Sequence, residues 1–290
     1  ARKYKSNYSF YKLDLCEQNK LKKIFKKYNF DYVIHLAAQA GVRYSLKNPH
    51  SYVKSNLISF TNILENSRHF NVKHLLFAST SSVYGLDKKM PFDERFGSNH
   101  PIQFYAATKK ANELMAHAYS HLFKLPVTGM RFFTVYGPWG RPDMALFKFV
   151  KNIYENKPIE IYNNGNHERN FTYVDDIVKQ VYLLIKKIPK GSKKDKYNVN
   201  ESQDKFRILN IGGIKTTKLL DFINIIEDEL GKKSKKKFLK LQDGDIIKTQ
   251  AKINSLLHLT KNNTFTDINV GVKKFIKWYQ EFYINRKYDL

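Results

Sequence analysis

The chain has 290 residues, of which 42% are hydrophobic and 14% aromatic. This apolar content suffices for one large domain or two modest ones, and it excludes a disordered or fibrous protein. The formal net charge is +25, yet the lysines are spread along the whole chain and do not form one patch. We therefore predict solvated lysine-bearing surfaces and no nucleic-acid partner, although the charge favours anionic small molecules as ligands.

The cysteine content and the hydropathy pattern bear on where the protein works. Cys16 is the single cysteine, so no intramolecular disulfide can form, and we predict a reducing, cytoplasmic setting. No CxxC or His/Cys ligand spacing occurs, and we expect no metal site. Because no run approaches the roughly 18 apolar residues of a membrane span, we expect no membrane partner.

The first half of the chain alternates strand patterns with helix patterns. The predicted strands are 10–15, 32–36, 74–78 and 127–133, and the predicted helices are 17–28, 56–70 and 105–123. This alternation predicts an α/β fold with a doubly wound parallel sheet of the Rossmann type. Ligands of such sheets bind at the carboxyl ends of the strands, so the loops that follow the strands form the candidate site.

The pattern changes near the middle of the chain. Short strands follow, with a polar insert over 191–205 and two amphipathic helices at 219–230 and 272–283. We therefore predict two domains. Residues 1–136 carry the sheet, and residues 137–290 form a smaller α/β domain with segments that return to the first.

Tyr105 and Lys109 stand four positions apart in the predicted helix 105–123, and therefore on one face of it. A cation beside a phenol favours the phenolate, so we expect Lys109 to lower the pKa of Tyr105 toward working pH, as a general base requires. The YxxxK spacing also arises by chance in a chain rich in both residues. A run of hydroxyl residues at 79–82 follows the predicted strand 74–78 and places hydroxyls at the sheet edge, although such runs also cap helices.

Six ordered segments carry a resemblance to a known family. They are HLAAQAGVRYS from His35, ASTSSVYG from Ala78, YAATK from Tyr105, RFFTVYGPWGRPDMA from Arg131, RNFTYVDD from Arg169, and the GD of Gly244 and Asp245. With these segments, which cover nearly the whole chain, the sequence resembles the extended short-chain dehydrogenase/reductase family. Within that family it is most similar to the NAD-dependent nucleotide-sugar epimerases that act on UDP-glucuronate.

The resemblance implies a reaction and a catalytic group. NAD stays bound through the cycle, Tyr105 is the base, Lys109 assists it and binds the nicotinamide ribose, and Thr80 is the catalytic hydroxyl. The base takes the proton of the sugar's 4-hydroxyl while hydride leaves carbon 4. The resulting 4-keto sugar turns about its diphosphate link and is reduced on the opposite face, which inverts carbon 4.

The resemblance also implies contacts with NAD outside the catalytic group. Asp14 matches the adenine contact, and Leu36, Ala37 and Ala38 match the stretch that runs along the cofactor. The alternatives are that Asp14 merely caps a turn and that the alanine pair serves close helix packing. Residues 1–136 become the NAD-binding domain, and the rest of the chain mainly binds the UDP-sugar.

Substrate contacts are implied at several positions. Arg169 matches a diphosphate contact, which suits the two parallel donors of a guanidinium. Tyr162 matches a neighbour of the uracil, and Asp245 matches an acceptor for a ribose hydroxyl. The full set of implied UDP-sugar contacts is Thr80, Ser81, Ser82, Thr134, Arg141, Tyr162, Arg169 and Asp245.

The family further suggests a homodimer in which the predicted helices 56–70 and 105–123 of two copies form a four-helix bundle. Leu57, Phe60, Ile63 and Leu64 supply an apolar stripe for this interface. The alternative is that the same stripe packs on the parent sheet.

The sequence departs from the family in two places. Asn170 stands where the family usually has aspartate, and we expect a less certain local orientation there. No glycine-rich GxxGxxG turn precedes Phe10, although that turn would hold the pyrophosphate of NAD. We therefore expect the chain to be a fragment that lacks the first βαβ portion, and to be inactive and without NAD binding by itself.

The sugar itself is indicated by chemistry. A 4-keto glucuronate is a β-keto acid that loses carbon dioxide readily, and the hydroxyls of Thr80, Ser81, Ser82 and Thr134 can hold its carboxylate in an unreactive orientation. A dehydratase needs an acid and a base where this chain has Ser81 and Ser82, so dehydration is not expected. Three alternatives stay open: decarboxylation to UDP-xylose, epimerisation of neutral UDP-galactose, and an inactive UDP-sugar-binding module.

Overall fold

The structure is a computed structural model that describes residues 7–191, 200–242 and 245–285. Its strands are β1 (Tyr32–His35), β2 (His74–Thr80), β3 (Val127–Phe132), β4 (Thr134–Tyr136), β5 (Ile159–Tyr162), β6 (Glu168–Arg169), β7 (Phe171–Tyr173), β8 (Phe206–Ile211), β9 (Thr217–Lys218) and β10 (Lys236–Leu239). Its α-helices are α1 (Gln18–Tyr28), α2 (Val42–Lys47), α3 (Pro49–Tyr52), α4 (Ser59–His69), α5 (Phe104–Phe123), α6 (Ala145–Tyr154), α7 (Val174–Ile185), α8 (Leu219–Leu230), α9 (Asn254–Thr260) and α10 (Ile268–Tyr279). Two π-helical segments, Val53–Ile58 and Gln280–Ile284, lead into α4 and extend α10.

Four parallel strands in the order β1-β2-β3-β8 form the main sheet. The predicted strands 32–36, 74–78 and 127–133 are confirmed as β1, β2 and β3, and the predicted doubly wound sheet is confirmed with them. β8 comes from the second half of the chain and pairs with β3, so that Phe132 lies beside Ile211. The carboxyl ends of all four strands therefore meet at one edge.

The side chains of β2 alternate between two buried layers, as a sheet covered on both faces requires. Leu75 and Phe77 pack with Phe60 of α4 on one face. Leu76 packs with Ile177 of α7 on the other face. Because both faces are buried, polar groups of β2 and its neighbours reach a ligand only at the strand ends.

The helix predictions agree with the structure to within a few residues. The predicted helix 17–28 is α1, 105–123 is α5 and 219–230 is α8. The predicted helix 56–70 covers the end of the first π-helical segment and α4, and 272–283 covers most of α10 and its π-helical extension.

The first predicted strand, 10–15, is wrong. Its backbone pairs with no strand among the described residues, and Phe10 is 74% exposed. The chain turns at Asp14, whose carboxylate accepts a hydrogen bond from Cys16 N at 3.0 Å and whose carbonyl accepts one from Glu17 N at 2.9 Å. Alternation makes a segment suitable for a strand, but the strand also needs a neighbouring backbone, which is a tertiary property.

The apolar stripe predicted for a dimer interface faces the protein's own core, so that prediction is wrong. Phe60 and Leu64 are fully buried, and Ile63 is nearly so. These three residues pack with Leu75 of the main sheet, while Leu57 is half-buried. The alternative interpretation, in which the stripe packs on the parent sheet, is confirmed because that sheet offers α4 a ready apolar face.

A separate core lies in the later part of the chain. Phe147 of α6, Phe222 of α8 and Phe275 of α10 belong to one cluster of buried side chains. Of the predicted polar insert, residues 192–199 lie outside the described residues. Over the ranges that the structure does describe, no helix has the length and the apolarity to cross a bilayer.

Candidate active site

Thr80 ends β2 at the carboxyl edge of the main sheet, and Ser81–Tyr84 continue as a 3-10 turn. The Thr80 hydroxyl accepts a hydrogen bond from Ser82 N at 3.2 Å and donates to Ser82 Oγ at 3.3 Å. It therefore caps the turn and also stands where ligands of such sheets bind. The residues that follow it, Ser81 and Ser82, are half-buried.

Tyr105 lies in the first turn of α5, with the ring of Tyr52 edge-on at 6.0 Å between centroids. Burial raises the pKa of the Tyr105 phenol, whereas a hydrogen bond with Thr80 and the charge of Arg141 act in the opposite direction. Lys109 is not among the groups that act on this pKa, so its predicted lowering of the Tyr105 pKa stays a prediction. Desolvation of the phenolate outweighs the cations around it.

Lys109 is a buried cation one turn after Tyr105. It is 2% exposed, and it forms no hydrogen bond or ion pair with any other residue that the structure describes. Burial lowers the pKa of its amine to about 8, and the carboxylate of Glu113 acts in the opposite direction. Burial and the Lys109 charge hold the pKa of His35 at about 3, so this imidazole is neutral. The amine therefore has its donors available for a ligand.

Asn56 fixes the loop that leaves β1. Its Oδ1 accepts a hydrogen bond from Gln39 N at 2.8 Å, and its Nδ2 donates to Gln39 O at 3.1 Å and to Thr108 Oγ1 at 3.0 Å. Asn112 Nδ2 donates to Asn56 O at 2.8 Å. The exposed stretch 36–38 is thereby held next to α5. Sequence reasoning missed Asn56, because nothing in the sequence distinguishes a bridging asparagine from the many others.

Arg141 is held by Asp143. Its Nε donates to Asp143 Oδ1 at 2.9 Å, and its Nη2 donates to the other carboxylate oxygen. Gly41 has φ +108°, and a Cβ there would lie 3.4 Å from Arg141 Nη2, so the loop after β1 passes close to the guanidinium. Thr134 and Arg141 line one small pocket. Sequence reasoning missed Asp143, although its position two residues after Arg141 was a local signal for the pair.

Tyr162 ends β5 and is covered by a residue from the other half of the chain. The guanidinium of Arg43, in α2, lies over its ring at 5.0 Å from the centroid, and its hydroxyl donates to Glu160 Oε2 at 2.8 Å. Sequence reasoning missed Arg43, although the residue belongs to the HLAAQAGVRYS segment, because the contact depends on how the two halves meet.

Arg169 and Asp245 lie close together. Arg169 Nη1 donates to Ile247 O at 2.7 Å, and Nη2 lies 3.4 Å from His167 Nδ1. Burial lowers the pKa of Arg169, and the charge of Asp245 acts in the opposite direction. The other member of the predicted GD pair, Gly244, lies outside the described residues.

Asn170 is fully buried and fully hydrogen-bonded. Its Nδ2 donates to Gly213 O at 3.0 Å and to Lys215 O at 2.9 Å, and its Oδ1 accepts from Gly213 N at 3.0 Å. These hydrogen bonds define the local orientation that the sequence left less certain. A carboxylate could not donate to the two carbonyls that the amide satisfies.

Asp14 is exposed and acts as a turn cap in the structure. A backbone hydrogen bond from Cys16 lowers the pKa of its carboxyl most, and Lys54 Nζ, 3.1 Å away, lowers it further. No contact of Asp14 with Tyr105 or Lys109 occurs among the described residues. The structure thus groups Thr80, Tyr105 and Lys109 at one edge of the sheet and leaves Asp14 apart from them.

Comparisons with known proteins bear on this group. Residues 1–200 match the model of the NAD dependent epimerase/dehydratase family. The chain belongs to this family. Membership agrees with the parallel sheet and with the phenol and the amine placed at its carboxyl edge.

Individual relatives cover most of the chain. Protein CapI of Staphylococcus aureus is 48% identical over 283 residues, which are 96% of this chain and 84% of that protein. A probable UDP-glucuronate 4-epimerase of Rhizobium meliloti is 44% identical over 259 residues, 87% of this chain and 75% of that protein. A solved structure, UDP-glucuronic acid 4-epimerase from Bacillus cereus with UDP-glucuronic acid and NAD, is similar at a TM-score of 0.84 and 31% identity, covering 97% of this chain and 85% of that one.

The residues present fit part of an NAD molecule. The Lys109 amine has donors that no described residue accepts, and such donors suit ribose hydroxyls. The neutral His35 and the exposed apolar stretch 36–38 offer surroundings suited to a flat ring. This end of the site therefore suits the nicotinamide riboside half of NAD. Within the described ranges, no group of side chains could hold a metal ion.

Proposed function

We propose that this protein inverts carbon 4 of UDP-glucuronate, giving UDP-galacturonate, with NAD as its cofactor. The observation that carries this proposal is the convergence of the Tyr105 phenol, the Thr80 hydroxyl and the buried Lys109 amine at one sheet edge. A phenol supported by a hydroxyl and a cation can remove and return the proton of a sugar hydroxyl. The relatives named UDP-glucuronate 4-epimerases support the choice of sugar.

In the proposed reaction Tyr105 accepts the proton of the sugar's 4-hydroxyl and later returns it. Thr80 holds that hydroxyl in position by a hydrogen bond. Because burial raises the pKa of Tyr105, its phenolate needs cationic support, and Lys109 and Arg141 are placed to supply it. NAD, when bound, supplies the removal of hydride from carbon 4 and its return to the opposite face.

The carboxylate of glucuronate is held by hydroxyl groups in this proposal. Ser81 and Ser82 follow Thr80 in the turn after β2, and Thr134 lines a pocket with Arg141. Hydrogen bonds from these hydroxyls keep the carboxylate out of the orientation in which a β-keto acid loses carbon dioxide. The same contacts disfavour the decarboxylating reaction.

The nucleotide is bound by the later part of the chain. Tyr162 contacts the uracil, Arg169 binds the diphosphate, and Asp245 accepts a hydrogen bond from a ribose hydroxyl. The closeness of Arg169 and Asp245 supports this assignment, because it puts a cation and an anion where a nucleotide offers a phosphate beside a ribose. We add Arg43, which stacks on Tyr162 and has donors for the same nucleotide.

The cofactor is bound by the earlier part of the chain. Lys109 and Tyr105 bind the nicotinamide ribose, residues 36–38 run along the cofactor, and Asp14 contacts the adenine. We propose residues 1–136 as the NAD-binding domain and residues 137–290 as mainly the UDP-sugar-binding domain. The return of β8 to the main sheet supports a second domain with segments in the first.

The protein works as a homodimer in the cytoplasm under this proposal. Leu114 and Leu122 of α5 are 63% and 66% exposed, and Ile58, in the π-helical segment before α4, is 48% exposed. These exposed apolar residues, and not the buried stripe on α4, support pairing of α4 and α5 with the same helices of a second copy. Sedimentation at micromolar concentration tests it. A dimer that dissociates in Leu114→Glu is expected, and a monomeric wild-type protein contradicts the proposal.

The decisive experiment incubates the full-length protein with UDP-glucuronate and separates the nucleotide sugars by chromatography. We expect UDP-galacturonate without release of carbon dioxide, and no product with Tyr105→Phe. Formation of UDP-xylose would establish decarboxylation instead. Conversion of UDP-galactose but not of UDP-glucuronate would overturn the assigned substrate.

A further inference from the structure

A buried ionic network lies directly behind the candidate active site. The two carboxylate oxygens of Glu113 each accept a hydrogen bond of 2.8 Å from Arg131. Ser79 Oγ donates to the same carboxylate at 2.7 Å, and Lys110 Nζ donates to it at 3.3 Å. Glu113 is 3% exposed and Arg131 is fully buried. Such a pair is stabilised away from water by partners for its remaining polar atoms, and Arg131 Nη1 has no hydrogen-bond partner among the described residues.

The network joins elements that carry the proposed catalytic residues. Ser79 immediately precedes Thr80 at the end of β2. Glu113 follows Lys109 by one turn of α5, on the same face of the helix. Arg131 lies on β3, so one carboxylate joins the carboxyl ends of β2 and β3 to the middle of α5.

Arg131 is itself held firmly in place. Its Nη2 donates to Ser98 Oγ at 3.2 Å, and its guanidinium lies over the ring of Tyr84 at 4.8 Å from the centroid. The Tyr84 hydroxyl donates to Asn210 Oδ1 at 2.7 Å. The Glu113 carboxylate is therefore bound to a guanidinium that Ser98 and Tyr84 also contact.

Glu113 also acts on the Lys109 amine by its charge. His35 from β1 faces this amine and is neutral, and Tyr105 lies one turn before it on α5. Burial lowers the pKa of Lys109, and the Glu113 carboxylate opposes that effect even though Arg131 also binds it. A buried negative charge near an amine favours the protonated form.

We propose that Glu113 is a positioning residue of the reaction: through Ser79 it fixes the Thr80 hydroxyl that meets the substrate, and through its charge it keeps the Lys109 amine protonated. This inference rests on the proposed function, because it takes Thr80 and Lys109 to act on one ligand. A merely structural ion pair would stabilise the fold without affecting the protonation of Lys109.

The first test measures the protonation of Lys109 without substrate or cofactor. Protein labelled with 13C at the lysine ε-carbon is titrated by NMR, and the Lys109 signal is assigned by its loss in Lys109→Arg. We expect the pKa of Lys109, about 8 in the wild-type protein, to fall by roughly one unit in Glu113→Gln. An unchanged titration would overturn the proposal.

Glu65→Gln is the matched control. Glu65 accepts hydrogen bonds from Arg68 Nε at 2.7 Å and Arg68 Nη2 at 2.9 Å, and from the Tyr119 hydroxyl at 2.6 Å near the far end of α5. This variant breaks a carboxylate–guanidinium pair that lies within α4 and touches α5 only through Tyr119. We expect lower stability but an unchanged Lys109 titration. An equal shift in both variants would overturn the proposal.

Ser79→Ala tests the other half of the inference and keeps the Glu113–Arg131 pair, so it tests the positioning of Thr80 even if Glu113→Gln does not fold. We expect kcat for UDP-glucuronate to fall about tenfold with KM nearly unchanged, because Thr80 loses its fixed position. An unchanged kcat would overturn the positioning role. A wild-type protein that does not convert UDP-glucuronate contradicts the proposed function instead, and the NMR titration still tests Glu113.

Discussion

The guanidinium of Arg43 stacks on the ring of Tyr162 across the site, 5.0 Å from its centroid. Arg43 follows β1 of the main sheet, whereas Tyr162 ends β5 in the later part of the chain. A guanidinium over an aromatic ring has N–H groups that point outward in its own plane, where they can bind a phosphate or a uracil carbonyl. The contact therefore places a cation where the two halves of the chain meet.

Removing this cation weakens binding of the nucleotide. We expect Arg43→Met to raise the Kd for UDP about tenfold, the size of one lost charge-assisted hydrogen bond. Isothermal titration of UDP checks this, with Lys47→Met on the same short helix as a control for loss of surface charge. Equal affinities of Arg43→Met and wild-type protein would remove Arg43 from the site.

Removing the phenolic hydroxyl stops the proton transfer. In the full-length protein, Tyr105→Phe is expected to keep the fold and to lower the turnover of UDP-glucuronate by at least ~10²-fold, the lower range for a positioned acid–base group. Steady-state kinetics give the turnover, and circular dichroism confirms the fold. Near-normal turnover in a folded variant contradicts the assignment of the base.

Asp143 binds the guanidinium of Arg141, which we propose as a substrate contact. Although burial raises the pKa of Asp143, hydrogen bonds from Arg141 hold it below its usual range, so the carboxylate stays charged. We expect Asp143→Asn to release the guanidinium and to tighten binding of UDP-glucuronate by about three- to tenfold. The same titration with UDP should show little change. Weaker binding of UDP-glucuronate would mean that Asp143 orients Arg141 productively.

Acid sensitivity is expected from His74. This imidazole is buried, with Nδ1 donating to Ile185 O and Nε2 accepting from Thr128, each at 2.8 Å. Burial lowers its pKa to about 4, below the ordinary value near 6.5, so the folded state binds fewer protons than the unfolded state between these values. The stability that this group contributes is present above pH 6.5 and is lost as the pH falls toward 4.

Urea unfolding at a series of pH values between 7 and 4 checks this expectation. One such group makes the free energy of unfolding change by up to about 1.4 kcal/mol per pH unit. His74→Gln should be less stable at pH 7 but should lose stability less steeply on acidification. Identical pH dependence in the variant and in the wild-type protein would contradict a role for His74.

The sequence predicted those parts of the site that depend on local patterns. Tyr105 and Lys109 lie on one face of their helix however deeply that helix is buried, because the spacing of four residues alone decides this. Thr80 lies at the sheet edge because the buried strand before it ends there. The segment 10–15 was misread because a strand also needs a neighbouring backbone, which alternation does not supply.

Other parts of the site depend on contacts between distant residues. The effect of burial on the Tyr105 phenol could not be read from its neighbours in the chain, because desolvation depends on everything packed around it. The bond from Ser79 to Glu113 joins residues 34 positions apart, and that from Asn56 to Thr108 joins residues 52 apart. No periodicity marks such pairs before the fold brings them together.

The Asn56 bridge has a consequence for how the site opens. Gln39, Asn56 and α5 are joined by four hydrogen bonds, so the loop after β1 and the helix that carries Tyr105 move as one rigid body. Between β4 and α6, on the other side, Gly137 has a φ of +143° that only glycine adopts easily. A rotation of the backbone there would part Arg43 from Tyr162 and uncover the nucleotide side of the proposed site.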